Sequence, residues 1–237
     1  MLIAASNSQA LWYLTRGFGL VTMVLLTASV ALGVAQVARY ARPGLPRFLV
    51  SGLHRNASLV AIVLLAVHVL TAVADPFAPI RLADAFIPFA GSYRPLWLGF
   101  GALATDMLLA LVVTSLVRAR IGHRPWRAVH WLAYACWPVA LVHALATGTD
   151  TRMGWVQLLY VACVGAVLAA LAWRLTTRWS TAAPGRRLAA AVGTLALVGM
   201  VSAWTAQGPL GPGWARRAGT PPNLLGGSVT HSRSTHG

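Results

Sequence analysis

Six stretches of about 20 residues, each nearly free of charge, dominate this chain. They run approximately from Gly17 to Ala38, Leu53 to Ala74, Leu96 to Val117, Val129 to Thr147, Gly154 to Trp173, and Leu188 to Thr205. At 1.5 Å rise per residue, about 20 apolar residues cross the roughly 30 Å hydrocarbon layer of a bilayer. In lipid every backbone amide must be bonded within the protein, and apolar runs of this length satisfy that condition as helices. The expected fold class is therefore all-α, an integral membrane bundle of six transmembrane helices. Residues 1–206 are expected to form the membrane domain. Residues 207–237 are rich in Gly, Pro, Ser and Thr without a sustained apolar period, and are expected to form a disordered extracytoplasmic tail.

Charge follows the same division. Only 10% of residues are charged, against about a quarter in soluble domains. The 19 basic residues are all Arg and the four acidic ones all Asp, giving a formal charge of +15. Nucleic-acid binders gather basic residues on one soluble face, whereas these arginines fall between apolar runs, so membrane lipid and not nucleic acid is the expected partner. Twelve of them occupy three alternate connections: Arg39, Arg42, Arg47 and Arg55; Arg118, Arg120, Arg124 and Arg127; Arg174, Arg178, Arg186 and Arg187. The positive-inside rule puts these connections in the cytoplasm, which makes the chain a multi-pass cell-membrane protein with both termini extracytoplasmic. The first apolar run is too long for a signal-peptide core and reads as a helix that stays. Cys136 and Cys163 lie inside apolar runs and read as packing residues.

Four of the seven histidines lie in or at the ends of only two helices. His54 and His68 are 14 residues apart, about 40° from sharing a face at 100° per residue. His130 and His143 are 13 apart, a rotation of about 220°, so the second pair needs a local change of winding. Pro138 lies between them and is the expected site of that kink. Both helices run in the same direction, so the histidines match in depth: His54 with His130 near the cytoplasmic surface, His68 with His143 in the outer half. An imidazole pair from facing helices can hold a haem iron from both sides. The alternative for each histidine is a polar side chain satisfied by a neighbouring helix. His123 reads as a loop residue, and His231 and His236 fall in the tail.

Arg55 and Arg127 flank the inner pair, with Arg124 just beyond, and are candidates for haem propionates; Arg16, Arg94 and Arg152 are candidates on the other side. Ordinary topological retention explains the same arginines. Asp106, the one acidic residue deep in a span, is either a neutral carboxyl bonded across helices or a proton or quinone contact. Trp97, Trp126, Trp155, Trp173 and Trp204 sit near span ends, as an aromatic belt requires. Gly99 to Ala104 reads G-x-G-x-x-A but follows no strand, so it fails the context of a dinucleotide fingerprint.

The segments LHRNASLVAIVLLAVHVLT, with His54 and His68, and WRAVHWLAYACWPVALVHALATG, with His130 and His143, resemble the ferric reductase-like transmembrane domain. That family includes NADPH oxidases, iron reductases and the haem subunit of periplasmic methionine sulfoxide reductase. The resemblance covers roughly Gly17 to Trp173. It implies two b-type haems, one on His54 and His130 and one on His68 and His143, with electrons crossing the membrane between them. Larger members continue into a cytoplasmic flavin and nicotinamide domain that these residues do not contain. The implied protein is thus an oxidoreductase component, fed by a separate flavoprotein reductase, with any flavin on that partner, or by a quinone. The competing readings are a quinone-linked cytochrome b subunit of a larger oxidoreductase, and a haem-free transporter or scaffold.

Overall fold

A computed structural model describes residues 2–37, 46–177 and 184–225. Arg39, Arg42, Arg178, His231 and His236 lie outside the described residues. Among the described residues every regular element is helical. The principal helices are α1 (Leu2–Val37), α2 (Arg47–Ala74) and α3 (Pro95–Leu116), the short α4 (Arg118–Ile121) and α5 (His123–His130), then α6 (Leu132–Thr147), α7 (Gly154–Thr177), α8 (Pro184–Gln207) and the one-turn α9 (Trp214–Arg217). Among the described residues five spans are long and apolar enough to cross a bilayer: Ala10–Gln36, Arg47–Ala74, Pro95–Leu116, His123–Thr147 and Gly154–Arg174. The apolar part of α8, Ala191–Gln207, is shorter.

The chain turns where its sequence demands it. α2 stops at Asp75, whose carboxylate accepts the Phe77 amide at 3.0 Å, and Pro76 follows directly. Pro95 opens α3 from Arg94, which holds a left-handed φ of 42°. Gly122, at φ 82°, separates α4 from α5.

α1 packs along α2, and α3 along α6, while α1 also contacts α6 and α7. Met23 of α1, Trp137, Leu141 and Leu145 of α6, and Val156, Tyr160, Cys163 and Val167 of α7 form the buried core where these elements meet. Trp137 Nε1 donates to Thr27 Oγ1 at 2.9 Å, satisfying the one polar atom of a buried indole. Leu53, Leu59, Val63 and Leu70 of α2 remain exposed, as befits a surface whose solvent is lipid. Cys136 and Cys163 are both free and buried, in the packing role expected of them.

Three expectations need correcting. The fourth span starts at His123, so this residue opens a helix and is not in a loop. The span breaks at Trp131, not at Pro138, which α6 carries in its interior. The amides of Trp131 and Tyr134 bond three residues back, to Ala128 (3.3 Å) and Trp131 (3.1 Å), so the change of winding comes directly after His130. Finally, residues 208–225 are folded, contrary to the disordered tail expected from residue 207. α6 ends at Thr147 with orphan carbonyls, and the tail helps satisfy them. Trp214 Nε1 donates to Ala146 O at 2.9 Å. Arg94, only 5% exposed, donates to Ala146 O (2.9 Å), Thr147 O (3.1 Å) and Thr220 Oγ1 (2.9 Å), and its amide bonds Gly219 O at 3.1 Å. Because this order comes from backbone acceptors on another helix, no apolar period announces it.

Candidate haem-binding site

Asp75, Asp84 and Asp150 line one cavity at one end of the bundle, called here the aspartate end. Arg118, Arg120, Arg124 and Arg127 mark the opposite, arginine end. The four histidines divide between these ends as two pairs.

At the arginine end the rings of His54 and His130 approach one another with centroids 6.4 Å apart and planes inclined at 72°. Two metal–nitrogen bonds of about 2 Å and two imidazole radii of about 1.2 Å span a gap of this size. At the aspartate end His68 and His143 line the cavity together with Gly19, Leu20, Met23, Leu65 and Val69. The cavity holds about 1640 Å³ of space free of protein atoms, part of it open to the exterior. Apolar walls converging on two imidazoles make a slot suited to a macrocycle.

Three of the four rings are held alike. His68 Nδ1 bonds Thr15 O at 2.7 Å, His54 Nδ1 bonds Ser29 O at 2.9 Å, and His143 Nδ1 bonds Trp97 O at 2.9 Å. A carbonyl only accepts, so each Nδ1 carries the proton and each Nε2 is left with a free lone pair. This is the tautomer and the outer-shell contact typical of metal-ligating histidine. The accepting carbonyl lies each time four residues before a glycine: Thr15 before Gly19, Ser29 before Gly33, Trp97 before Gly101. A Cβ added at Gly101 would lie 2.5 Å from His143 Nδ1, at Gly19 3.0 Å from His68 Cε1, and at Gly33 3.4 Å from His54 Cε1. At Gly101, and less severely at Gly19, the missing side chain is what lets the imidazole reach the helix backbone, whereas at Gly33 a Cβ would sit in ordinary contact with the ring. Gly101 belongs to the G-x-G-x-x-A run, which thereby gains a packing role; Gly99 likewise meets Phe89.

His130 is held differently. Its buried Nδ1 finds no partner among the described residues. Its ring stacks on Trp126 at 4.8 Å and 26°, and Arg118 covers the Trp126 ring at 4.3 Å. Trp126 is four residues before His130, a same-face spacing on a helix, and that is the signal by which the sequence could have disclosed it. The glycines had no comparable signal, because the register between helices cannot be read from one chain.

The arginine candidates separate by position. Arg55, Arg124 and Arg127 are exposed, and it is Arg118 that approaches the histidine surroundings. At the aspartate end Arg16 lines the cavity, lies 3.2 Å from the Trp12 ring centroid and pairs with Asp150. Arg94 and Arg152 are instead turned to the tail, Arg152 donating to Gly211 O. Trp97 and Trp204, expected in a belt, join Trp214 in a cluster with centroids 5.2 to 6.2 Å apart. Asp106 is half-buried on α3 and stands apart from the cavity lining.

Among the described residues no three or more His, Cys, Asp or Glu side chains gather around a point. Two-ligand pairs suit an iron whose other four ligands belong to a macrocycle, and the residues present fit a haem. A family model described as the ferric reductase like transmembrane component matches residues 18–142, more than half of the chain. That range contains His54, His68 and His130 and ends one residue before His143. Comparisons with curated proteins and with solved structures return no match.

Proposed function

The chain belongs to the ferric reductase-like transmembrane component family, and from that membership we propose that it is a dihaem b-type electron-transfer protein of the cell membrane. The paired rings of His54 and His130, 6.4 Å apart, carry this reading. Bound haem supplies reversible one-electron iron chemistry. The protein's own residues supply ligation and orientation. His54 and His130 hold one haem, and His68 and His143 the other. The carbonyls of Thr15, Ser29 and Trp97 fix three imidazole planes and keep each Nε2 unprotonated for the metal. Apolar side chains such as Leu20, Met23 and Leu65 exclude water from the aspartate-end slot.

With α8 as a sixth span and the arginine-rich connections in the cytoplasm by the positive-inside rule, both termini lie outside. Electrons then pass from the His54–His130 level to the His68–His143 level, toward an extracytoplasmic acceptor. A separate flavoprotein reductase or a quinone delivers them, and Arg118, Arg120 and Arg124 offer an acidic flavoprotein a docking charge that weakens with salt. For the propionates, Arg16 at the aspartate end and Arg118 at the arginine end are the proposed cations, with the exposed Arg55 and Arg127 beside the His54–His130 pair as further candidates.

The test is the optical spectrum of the purified protein, oxidised and then reduced with dithionite. Low-spin b-type bands at two haems per chain are expected. Their absence after expression with ample haem would overturn the proposal.

A further inference from the structure

The hairpin α1–α2 and the unit α3–α5–α6 share one plan: a helix descending from the aspartate end offers carbonyls, and a returning helix brings two histidines. On α1 the carbonyl–glycine pair occurs twice, 14 residues apart, at Thr15 with Gly19 and at Ser29 with Gly33. On α3 it occurs at Trp97 with Gly101. Fourteen residues further on, the fourth place is occupied by Leu111 and Ser115. Ser115 carries the Cβ that the other three positions lack, and the histidine of that level, His130, is the one whose Nδ1 finds no partner among the described residues. The Ser115 hydroxyl instead accepts from Trp126 Nε1 at 3.3 Å, and Trp126 stacks on His130.

We infer that Ser115 and Trp126 are positioning residues that replace the backbone anchor at His130, and that this makes the His54–His130 haem the electronically distinct and more easily ligand-exchanged of the two. This rests on the dihaem reading. A histidine that donates from Nδ1 to a carbonyl is a more basic ligand and favours the ferric state. Among the described residues nothing accepts such a bond from His130, and the guanidinium of Arg118, stacked over Trp126, adds positive charge nearby. Both effects favour the ferrous state, so this haem has the higher midpoint potential, and the step from it to the His68–His143 haem runs uphill in midpoint potential, drawn forward by the acceptor that drains the second haem. A ligand held by stacking alone also dissociates more readily than one pinned at Nδ1, because the imidazole can pivot about its Cβ.

Two double variants separate the haems: His68→Ala/His143→Ala leaves only the His54–His130 pair, and His54→Ala/His130→Ala only the other. After dithionite reduction, carbon monoxide should bind the first with an affinity on the order of tenfold or more above the second. Redox titration of the unaltered protein should resolve two potentials, the higher one missing from His54→Ala/His130→Ala. Trp126→Leu should raise carbon monoxide binding further and leave the His68–His143 haem unchanged; Trp126→Phe, which keeps a stacking ring, should restore most of the wild-type behaviour, and Ser115→Ala should fall between. Equal carbon monoxide affinity in the two double variants, or a higher potential at His68–His143, would overturn the inference while leaving two haems in place. Absence of haem from the unaltered protein would instead sink the dihaem proposal itself.

Discussion

A side chain can be deleted by substitution, but a backbone carbonyl cannot, and the anchors of His54, His68 and His143 are carbonyls. Their vulnerability therefore lies four residues further on, at the glycines. Gly101→Ala would put a methyl 2.5 Å from the His143 ring, closer than atoms tolerate, and should displace the ligand and strip or convert most of the His68–His143 haem to high spin. Gly19→Ala, at 3.0 Å, should give a partial effect on the same haem, and Gly33→Ala, at 3.4 Å, a slight one on the other. Haem content and reduced-minus-oxidised spectra of the three proteins would check the order, and a Gly33→Ala defect larger than that of Gly101→Ala would contradict it. A second expectation concerns pairing: replacing His54 or His130 by Ala should remove one and the same haem, and His68 or His143 the other. Single-variant spectra that paired His54 with His143 would refute the assignment. The histidines were legible in the sequence because a polar ring inside an apolar run must have a purpose or a partner. The glycines were not, since small residues in a span are common for packing reasons and nothing in one chain says which helix lies against which.

Elements show a similar division between what local pattern announces and what only packing creates. α1, α2, α3 and α7 follow from length and hydropathy alone; all five bilayer-length spans end within two residues of the expected ends, while three of them begin six or seven residues earlier. The break after His130 escaped, because a proline draws attention to itself while the i to i−3 bonds around Trp131 leave no mark in the sequence. The segment Trp214–Arg217 and its flanks escaped for a different reason: their order is borrowed from the carbonyl end of α6 through Arg94. Arg94→Ala should remove three side-chain hydrogen bonds made by a buried cation, leaving the Thr147 carbonyl without that donor and the Ala146 carbonyl with Trp214 in its place. The expected cost is about 2–4 kcal/mol. It should appear as a lower thermal midpoint in detergent and as faster hydrogen exchange across residues 214–220, with haem content retained. Unchanged protection of that segment would show that Trp214 alone holds it.

At the scale of the whole molecule, orientation decides which of the two proposed haems would receive electrons first. Twelve of the 19 arginines lie in the three connections assigned to the cytoplasm, so reporter fusions at either terminus should register the extracytoplasmic side. A cytoplasmic C-terminus would mean that α8 does not cross, and a cytoplasmic N-terminus would reverse the direction of transfer. The folded tail bears on how such proteins are built for experiment. Trp214 packs against Trp97, and the carbonyl of Trp97 holds His143, so a cargo spliced directly after α8 would sever a covering piece from the residue that orients a ligand. A tag or reporter joined beyond Leu225 spares that contact, whereas one joined at Gln207 would report the address of a damaged protein.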